Sequence, residues 1–149
     1  MEFPHLMNLV KYNQFDTIYH EHFSYLSLYT VQKIFQNHGL RIFDVEEIPT
    51  HGGSLRIFAC HVDCNIHNEK LSVMELLSKE LKLGMNNINY YLGFKESCLA
   101  VKLDFLKFLI SQKEIGKRIA AYGAAAKGNT LLNYCGIKKD LISYVVDLN

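Results

Sequence analysis

The chain has 149 residues, which allows one compact domain or parts of two. Apolar residues make up 49% and charged residues 21%, proportions that exclude a disordered chain. The net charge of +1 gives no basic surface for nucleic acid or an anionic membrane. No apolar run reaches the roughly 18 residues of a membrane span. We therefore expect a globular protein without nucleic-acid or membrane partners.

The N-terminal residues lack the basic-then-apolar layout of a signal peptide. The four cysteines form no CxxC pair and no dense framework, which is typical of reduced thiols in a cytoplasmic protein. We expect the cytoplasm as the location. The cysteines are Cys60, Cys64, Cys98 and Cys135.

Residues 1–66 begin with a short apolar segment, from Phe3 to Tyr12. Apolar residues then recur at helical spacing before Gly39, a pattern that predicts a helix over residues 29–38 ending at this glycine.

Two predicted strands follow, over residues 40–48 and 54–62. The residues between them, 49–53, end in paired glycines, which suit a tight turn. We expect a β-hairpin.

Residues 67–112 are predicted to be helical. Apolar side chains recur three to four residues apart in two series, and Gly84 marks the break between the two helices. Packing in a core explains both series without a function. They consist of Leu71, Met74, Leu77 and Leu81, then Phe94, Cys98, Val101, Phe105 and Phe108.

Residues 113–149 are predicted to form a βαβ unit. The strands cover residues 118–122 and 141–146, the loop covers 123–128, and the helix begins at Asn129. A single unit leaves both faces of its sheet uncovered, so we expect the domain to be unfinished in this chain.

The run Tyr19-His20-Glu21-His22 places four hydrogen-bonding or proton-handling side chains in succession. In an extended conformation, Tyr19 and Glu21 share one side, and His20 and His22 the other. A carboxylate beside a histidine can hold its tautomer and raise its basicity. Such a cluster suits removal of a proton from a carbon beside a carbonyl, with a tyrosine or second histidine stabilising the enolate.

Two other interpretations of this run stay open. The residues can be ordinary hydrogen-bonding groups at a turn. Alternatively, His20, His22 and His51 could supply imidazole ligands to a metal. Since the spacing is not the HExxH of a zinc peptidase, we expect no metal site in the chain.

The loop from Gly123 to Gly128 keeps the first and last glycines of GxGxxG, with Ala125 in the middle position. It is followed by Asp147 at the end of the next predicted strand. Such a loop can place backbone N–H groups against a phosphate, and Lys127 could add a positive charge. The loop therefore predicts either a phosphate contact or a turn that only redirects the chain.

Three segments, in order, resemble successive signatures of one family. It is the S-adenosylmethionine (SAM)-dependent C-methyltransferases that act on nucleotide-linked deoxysugars, and the resemblance covers essentially the whole chain. The segments are residues 15–25 (FDTIYHEHFSY), 51–56 (HGGSLR) and 122–133 (YGAAAKGNTLLN).

The resemblance implies an α/β fold with three parts. Residues 1–66 would be the end of a Rossmann-like SAM-methyltransferase domain with a β-hairpin and the active-site segment. Residues 67–112 would be a helical connector, and residues 113–149 the first βαβ of a second Rossmann-like domain. The substrate, a nucleotide sugar, is expected in the cleft between the two domains.

The resemblance also implies site residues. His22 matches the general base that removes the proton beside the keto group, and Glu21 and Tyr19 match residues that support it. The positions expected to contact substrate are His51, Arg56, Lys127 and Asn129.

The chain departs from the family pattern because it has no GxGxG loop and no cysteine-rich zinc module. We therefore expect a C-terminal portion, either an excised fragment or the product of a truncated gene. SAM is expected as cofactor of the complete enzyme, but with no cofactor-binding residues in this chain, which is expected to be inactive alone. Zinc is expected only in the missing N-terminal module, and self-association is expected through exposed sheet edges.

Two rival functions are a nucleotide- or NAD-binding Rossmann-like module without methyl transfer, and a non-catalytic remnant. The run from Tyr19 to His22 favours the enzyme over a binding module, because binding alone needs no adjacent base and acid.

Overall fold

The structure is a computed structural model that describes residues 1–148. Asn149, the last position of the third predicted part, lies outside the described residues. The chain is mixed α/β, as predicted, and divides into two compact units. Unit 1 comprises Met1–Gln14 and Ser24–Gly93, and unit 2 comprises Phe15–Phe23 together with the chain from Phe94 onward.

Unit 1 holds a three-stranded antiparallel sheet in the order β1-β3-β2, with three helices. The predicted hairpin is confirmed, since β2 and β3 pair antiparallel from Ile48 opposite Ser54. The predicted helix before Gly39 is also confirmed, and this glycine has the left-handed φ of 68° that favours glycine at a helix end. The elements are β1 (Glu2–Pro4), α1 (Leu6–Lys11), α2 (Leu28–Asn37), β2 (Leu40–Ile48), β3 (Ser54–His61) and α3 (Leu71–Lys82).

The hairpin turn needs both of its glycines. Gly52 and Gly53 have φ values of 83° and 114°. A Cβ at Gly53 would lie 2.3 Å from the side-chain nitrogen of Asn8, and one at Gly52 would lie 2.5 Å from that of Gln14. The turn therefore packs tightly against the end of α1 and the residues that follow it.

The core of unit 1 lies between the sheet and helices α2 and α3. Helix α3 contributes Val73 and Leu76 to the buried cluster, and of the predicted series Leu77 packs against it, partly buried. The prediction for that series was wrong at Leu71, Met74 and Leu81, which are 67%, 55% and 44% exposed. The series Val73, Leu76 and Glu80 also has helical spacing, and packing of α3 against β2 buries this series. The buried cluster comprises Phe3, Leu28, Val31, Ile42, Val45, Leu55, Ile57, Val73 and Leu76.

Unit 2 contains a long helix, α4 (Phe94–Glu114), and the predicted βαβ unit. Strands β4 (Ala120–Tyr122) and β5 (Tyr144–Val146) pair in parallel and are shorter than predicted. The helix between them, α5 (Ala126–Cys135), begins three residues before the predicted Asn129. The core of unit 2 comprises Leu109, Cys135, Ile137 and Ile142.

The residues predicted as a helical connector, 67–112, belong partly to each unit: α3 packs in unit 1, and α4 in unit 2. The assignment of residues 1–66 and 113–149 to two Rossmann-like domains stays a prediction. No helix in the described part of the chain has the length and apolarity to cross a membrane.

Candidate functional site

The segment from Tyr19 to His22 forms a turn. After a short 3₁₀ helix at Phe15–Thr17, the N–H of Tyr19 donates to the carbonyl of Thr17, and the N–H of His22 donates to that of Tyr19, both at 3.0 Å. The extended arrangement considered above is therefore wrong. A turn brings residues three apart together, as the hydrogen bond from His22 to Tyr19 shows.

The turn places the side chains of Tyr19 and His22 in contact. The Tyr19 hydroxyl lies 3.1 Å from His22 Nε2, and the two rings meet edge to face with centroids 4.8 Å apart. Both side chains are half-buried. The hydrogen bond fixes the plane of the imidazole ring.

The two central residues of the turn point into solvent. The side chains of His20 and Glu21 are 87% and 68% exposed, and His20 Nε2 lies 4.0 Å from the Glu21 carboxylate. The Glu21 carboxylate thus lies beside His20, whereas His22 contacts Tyr19. At this exposure such a pair contributes little to stability.

The turn is anchored on α5 by the residues that precede it. Phe15 is 6% exposed and Thr17 is 1% exposed. The ring of Phe15 packs at 4.8 Å from that of Tyr134, at the end of α5. The carbonyl of Tyr134 accepts a hydrogen bond from Lys102 Nζ at 3.1 Å, which ties this end of α5 to α4.

A cavity of about 580 Å³ adjoins the anchored turn within unit 2. It begins at Phe15 and Ile18, directly before Tyr19, and mixes aromatic rings with hydrogen-bonding groups. Its volume is in the range of small-molecule sites. The lining comprises Phe15, Ile18, Phe94, Lys95, Cys98, Thr130, Asn133 and Tyr134.

The glycine loop between β4 and α5 is held closed by strand β5. The N–H of Gly123 donates to the carbonyl of Val146 at 2.7 Å, and that of Ala124 donates to the Asp147 carboxylate at 2.5 Å. A second cavity of about 330 Å³ lies against the loop, and Asn129 lines it. Lys127, in the first turn of α5, is half-buried.

The remaining two predicted residues lie in unit 1. His51 is exposed in the hairpin turn, with a left-handed φ of 54°. Arg56 on β3 forms ion pairs with Glu2 at 3.0 Å and Glu46 at 3.6 Å. The structure thus groups Tyr19, Glu21, His22, Lys127 and Asn129 in unit 2, and their roles, like those of His51 and Arg56, stay predictions.

The metal interpretation of the histidines gains no support. Among residues 1–148, no three His, Cys, Asp or Glu side chains are placed to hold a metal ion.

Two residues that matter for the site were missed by the sequence reasoning. Phe15 and Tyr134 fix the turn on α5, yet they lie far apart in the chain. The only signal was positional: Phe15 opens the first family signature, and Tyr134 directly follows the third.

Comparison with known proteins agrees with the resemblance. The family model described as "C-methyltransferase C-terminal domain" matches residues 49–149. The chain is also 37% identical over 147 residues to C-methyltransferase NovU of Streptomyces niveus, an alignment that covers 99% of this chain and 35% of that protein. The chain therefore belongs to the C-methyltransferase family and represents its C-terminal portion. It spans about a third of the length of that relative.

Proposed function

We propose that this chain contributes the catalytic turn of an enzyme that transfers a methyl group from SAM to a carbon of a nucleotide-linked keto-deoxysugar. His22 is the general base that removes the proton beside the keto group. The observation that carries this proposal is the hydrogen bond of 3.1 Å between the Tyr19 hydroxyl and His22 Nε2. Family membership supports the methyl transfer, and the sugar substrate rests on the resemblance of the three signatures.

The turn suits proton abstraction for three reasons. The hydrogen bond to Tyr19 holds the imidazole in one orientation, which a general base needs. A keto group acidifies the neighbouring C–H. In the tautomer whose Nε2–H donates to the Tyr19 oxygen, the unprotonated Nδ1 of His22 accepts that proton. The Tyr19 hydroxyl can then hydrogen-bond to the negative charge that develops on the enolate oxygen.

The substrate would be held in unit 2 next to this turn. The 580 Å³ cavity can receive the sugar beside Tyr19, since Phe15 and Ile18 line it. We assign Lys127 and Asn129 to the diphosphate, because Asn129 lines the cavity at the glycine loop and Lys127 carries a positive charge beside it. The roles of His51 and Arg56, which lie in unit 1, stay predictions of the family resemblance.

The glycine loop of residues 123–128 does not fit a SAM site. The glycine loop has Ala125 where a middle glycine would allow close approach, and its Ala124 N–H already donates to Asp147. The SAM-binding loop is proposed to lie elsewhere in the complete enzyme. The hydrogen bond from Ala124 to Asp147 also counts against an NAD-binding module. In such a module Asp147 would be the acid that binds the ribose hydroxyls, but here its carboxylate accepts from the loop.

The proposal is tested by exchange of the sugar's α-proton with solvent deuterium, followed in the complete enzyme without SAM. His22→Ala is expected to slow this exchange by about 10²- to 10⁴-fold, the usual contribution of a positioned base. Omitting SAM isolates the proton transfer from the methyl transfer.

His20→Ala is the matched control, because His20 is a histidine of the same turn whose side chain is 87% exposed. We expect it to exchange the proton at close to the wild-type rate, and Glu21→Gln to lose less than His22→Ala. Wild-type exchange in His22→Ala, or a larger loss in His20→Ala, would overturn the assignment of the base.

A further inference from the structure

Helix α4 is apolar on two faces. One face packs in the core of unit 2 through Phe105 and Leu109. The second face carries Leu99, Leu103 and Ile110, which are 44%, 46% and 47% exposed. A helix that is apolar on more than one face is normally buried on each of them. The second face therefore has the character of a contact surface.

The exposed face of α4 follows a heptad. Leu99, Leu103, Leu106 and Ile110 are spaced four, three and four residues apart, which is the spacing of the a and d positions in helices that pack side by side. Leu106 is partly buried, because it also packs against the core of unit 2. We call these four residues the α4 seam. Their regular spacing suits packing against a second helix.

The two ends of the α4 seam carry opposite charges. The same heptad places Glu96 three residues before Leu99 and Lys113 three residues after Ile110. Glu96 lies in the first turn of α4 and Lys113 in its last turn. Within residues 1–148, neither side chain has an ion-pair partner. The seam is thus acidic at one end, apolar in the middle and basic at the other end, which makes it complementary to itself in the reverse direction.

An antiparallel pair of α4 helices satisfies both charged ends. With the pair centred between Leu103 and Leu106, these two residues face each other, and Glu96 faces Lys113 of the second copy. A parallel pair would instead place like charges together at each end. Because a twofold axis repeats every contact, the antiparallel pair contains two opposite-charge contacts. The facing positions are Glu96 with Lys113, Leu99 with Ile110, and Leu103 with Leu106.

We propose that two copies of this chain associate through the α4 seam as an antiparallel helix pair. The helix is already formed in the folded unit, so association carries no cost of helix nucleation. The leucine and isoleucine side chains leave water at the centre, and the charges at the ends fix the direction of the pair. The seam contains no residue of β4 or β5, and it is independent of the proposed methyl transfer.

Charge reversal at the ends of the seam tests the pairing. All chains also carry Tyr144→Lys, which places a charge on β5 and suppresses pairing at that strand edge. Glu96→Lys puts a lysine opposite Lys113 at both ends of the dimer, and we expect the dimer dissociation constant from sedimentation equilibrium to rise about tenfold. Glu96→Lys combined with Lys113→Glu restores opposite charges and should return the constant to within about twofold of the parent chain.

Ser111→Glu is the control for these variants, because it adds a charge at an exposed position of α4 outside the seam. We expect it to leave the dissociation constant unchanged. A Glu96→Lys chain that dimerises as tightly as its parent would overturn the proposal. So would a double reversal that is as weak as Glu96→Lys alone.

Disulfide cross-linking tests the direction of the pair in an otherwise unchanged chain. Leu99→Cys and Ile110→Cys are made in separate chains, mixed, oxidised with copper phenanthroline and mapped by mass spectrometry. Both side chains are about half exposed, so the substitutions spare the core. We expect a disulfide that joins position 99 to position 110. In the antiparallel pair, two copies of position 99 lie roughly 16 Å apart along the helix axis, too far for a disulfide. Disulfides that join 99 to 99 or 110 to 110 in equal or larger amounts, or no cross-link at either position, would overturn the proposal.

Discussion

Glu80 is a fully buried carboxylate on α3 with three hydrogen-bond donors. His5 Nε2 lies 2.7 Å from one of its oxygens, and the backbone N–H groups of Leu28 and Tyr29 donate to it at 2.8 Å. Leu28 and Tyr29 lie in the first turn of α2, and the N–H groups of a first turn have no partner within the helix. One side chain of α3 thus caps α2 and also binds the segment before α1.

Removing this carboxylate should be strongly destabilising. Glu80→Ala leaves His5 and two backbone N–H groups buried without their acceptor, and we expect it to lower the free energy of unfolding by roughly 3–5 kcal/mol. Glu80→Gln should cost less, because its carbonyl oxygen keeps part of the acceptor capacity. Urea denaturation followed by circular dichroism measures both.

Glu75→Ala is the control for this series, since Glu75 is an exposed glutamate of the same helix. Its effect should stay within about 0.5 kcal/mol, as for other surface substitutions. Equal denaturation midpoints for Glu80→Ala and Glu75→Ala would show that the buried contacts do not hold the two helices.

Single residues were the least predictable level of this structure. Glu80 completes a helical series with Val73 and Leu76, but a search for apolar periodicity passes over a buried charge. The contact of Tyr19 with His22 was missed because the alternation of a strand was applied to a segment that turns. Both errors arise where hydrogen bonds, and not side-chain hydrophobicity, decide the local conformation.

At the level of elements, Asp44 connects β2 to the start of α3. The strand register shifts between Ile42 and Asp44, and the Asp44 carboxylate receives hydrogen bonds from Lys70 at 2.5 Å and from Ser72 and the Val45 N–H at 2.9 Å. Lys70 immediately precedes α3, and its own N–H donates to the carbonyl of Phe43.

Because of this connection, we expect the free energy of unfolding to depend on pH in the acid range. The Lys70 ammonium, with Ser72 and the Val45 N–H, lowers the pKa of Asp44 below 3.8, its value in an unfolded chain. The stabilisation is therefore fully present above about pH 4 and is lost as the pH falls through the folded pKa. Asp44 also raises the pKa of Lys70 above 10.5, so this contribution is lost only at strongly alkaline pH.

Thermal unfolding of wild type and Asp44→Asn across the acid range checks this expectation. The difference in Tm between them should be constant near neutral pH and shrink below about pH 4, where Asp44 becomes protonated in both states. Asp63→Asn, at an exposed position, should show no such pH-dependent difference. A Tm difference between wild type and Asp44→Asn that is unchanged at low pH would contradict the role of Asp44.

Elements with local signals were predicted well. The hairpin and helix α2 follow from strand alternation, paired glycines and Gly39, all within a few residues of each other. Strand β1 was missed because its three residues pair with β3, with Glu2 opposite Arg56, 54 positions away. The correct face of α3 was missed for a related reason: two apolar series compete, and only the position of β2 distinguishes them.

At the scale of the whole molecule, the two-stranded sheet of unit 2 exposes apolar side chains. Every residue of β5 is exposed, and Tyr122 at the end of β4 is 72% exposed. Two strands alone are a marginal sheet, and open strand edges favour pairing with another chain. We expect the chain to self-associate through this sheet.

Sedimentation velocity over a wide concentration range tests this expectation. The sedimentation coefficient should rise with concentration, and Tyr144→Lys should shift the rise to higher concentration by placing a charge on β5. Tyr12→Lys is the control, as an exposed tyrosine of unit 1. A concentration-independent monomer for the wild type would contradict self-association.

The packing of Phe15 on Tyr134 also fixes when the turn over residues 19–22 can form during synthesis. Tyr134, the partner of Phe15, is synthesised roughly 120 residues after it. At the ribosome's rate of roughly 5–20 residues per second, that interval lasts about 6 to 24 s. Throughout it, residues 15–23 have no α5 to pack on, whereas the hairpin can already have paired. The turn proposed to do the chemistry therefore acquires its shape only after α5 has been synthesised, later than the hairpin.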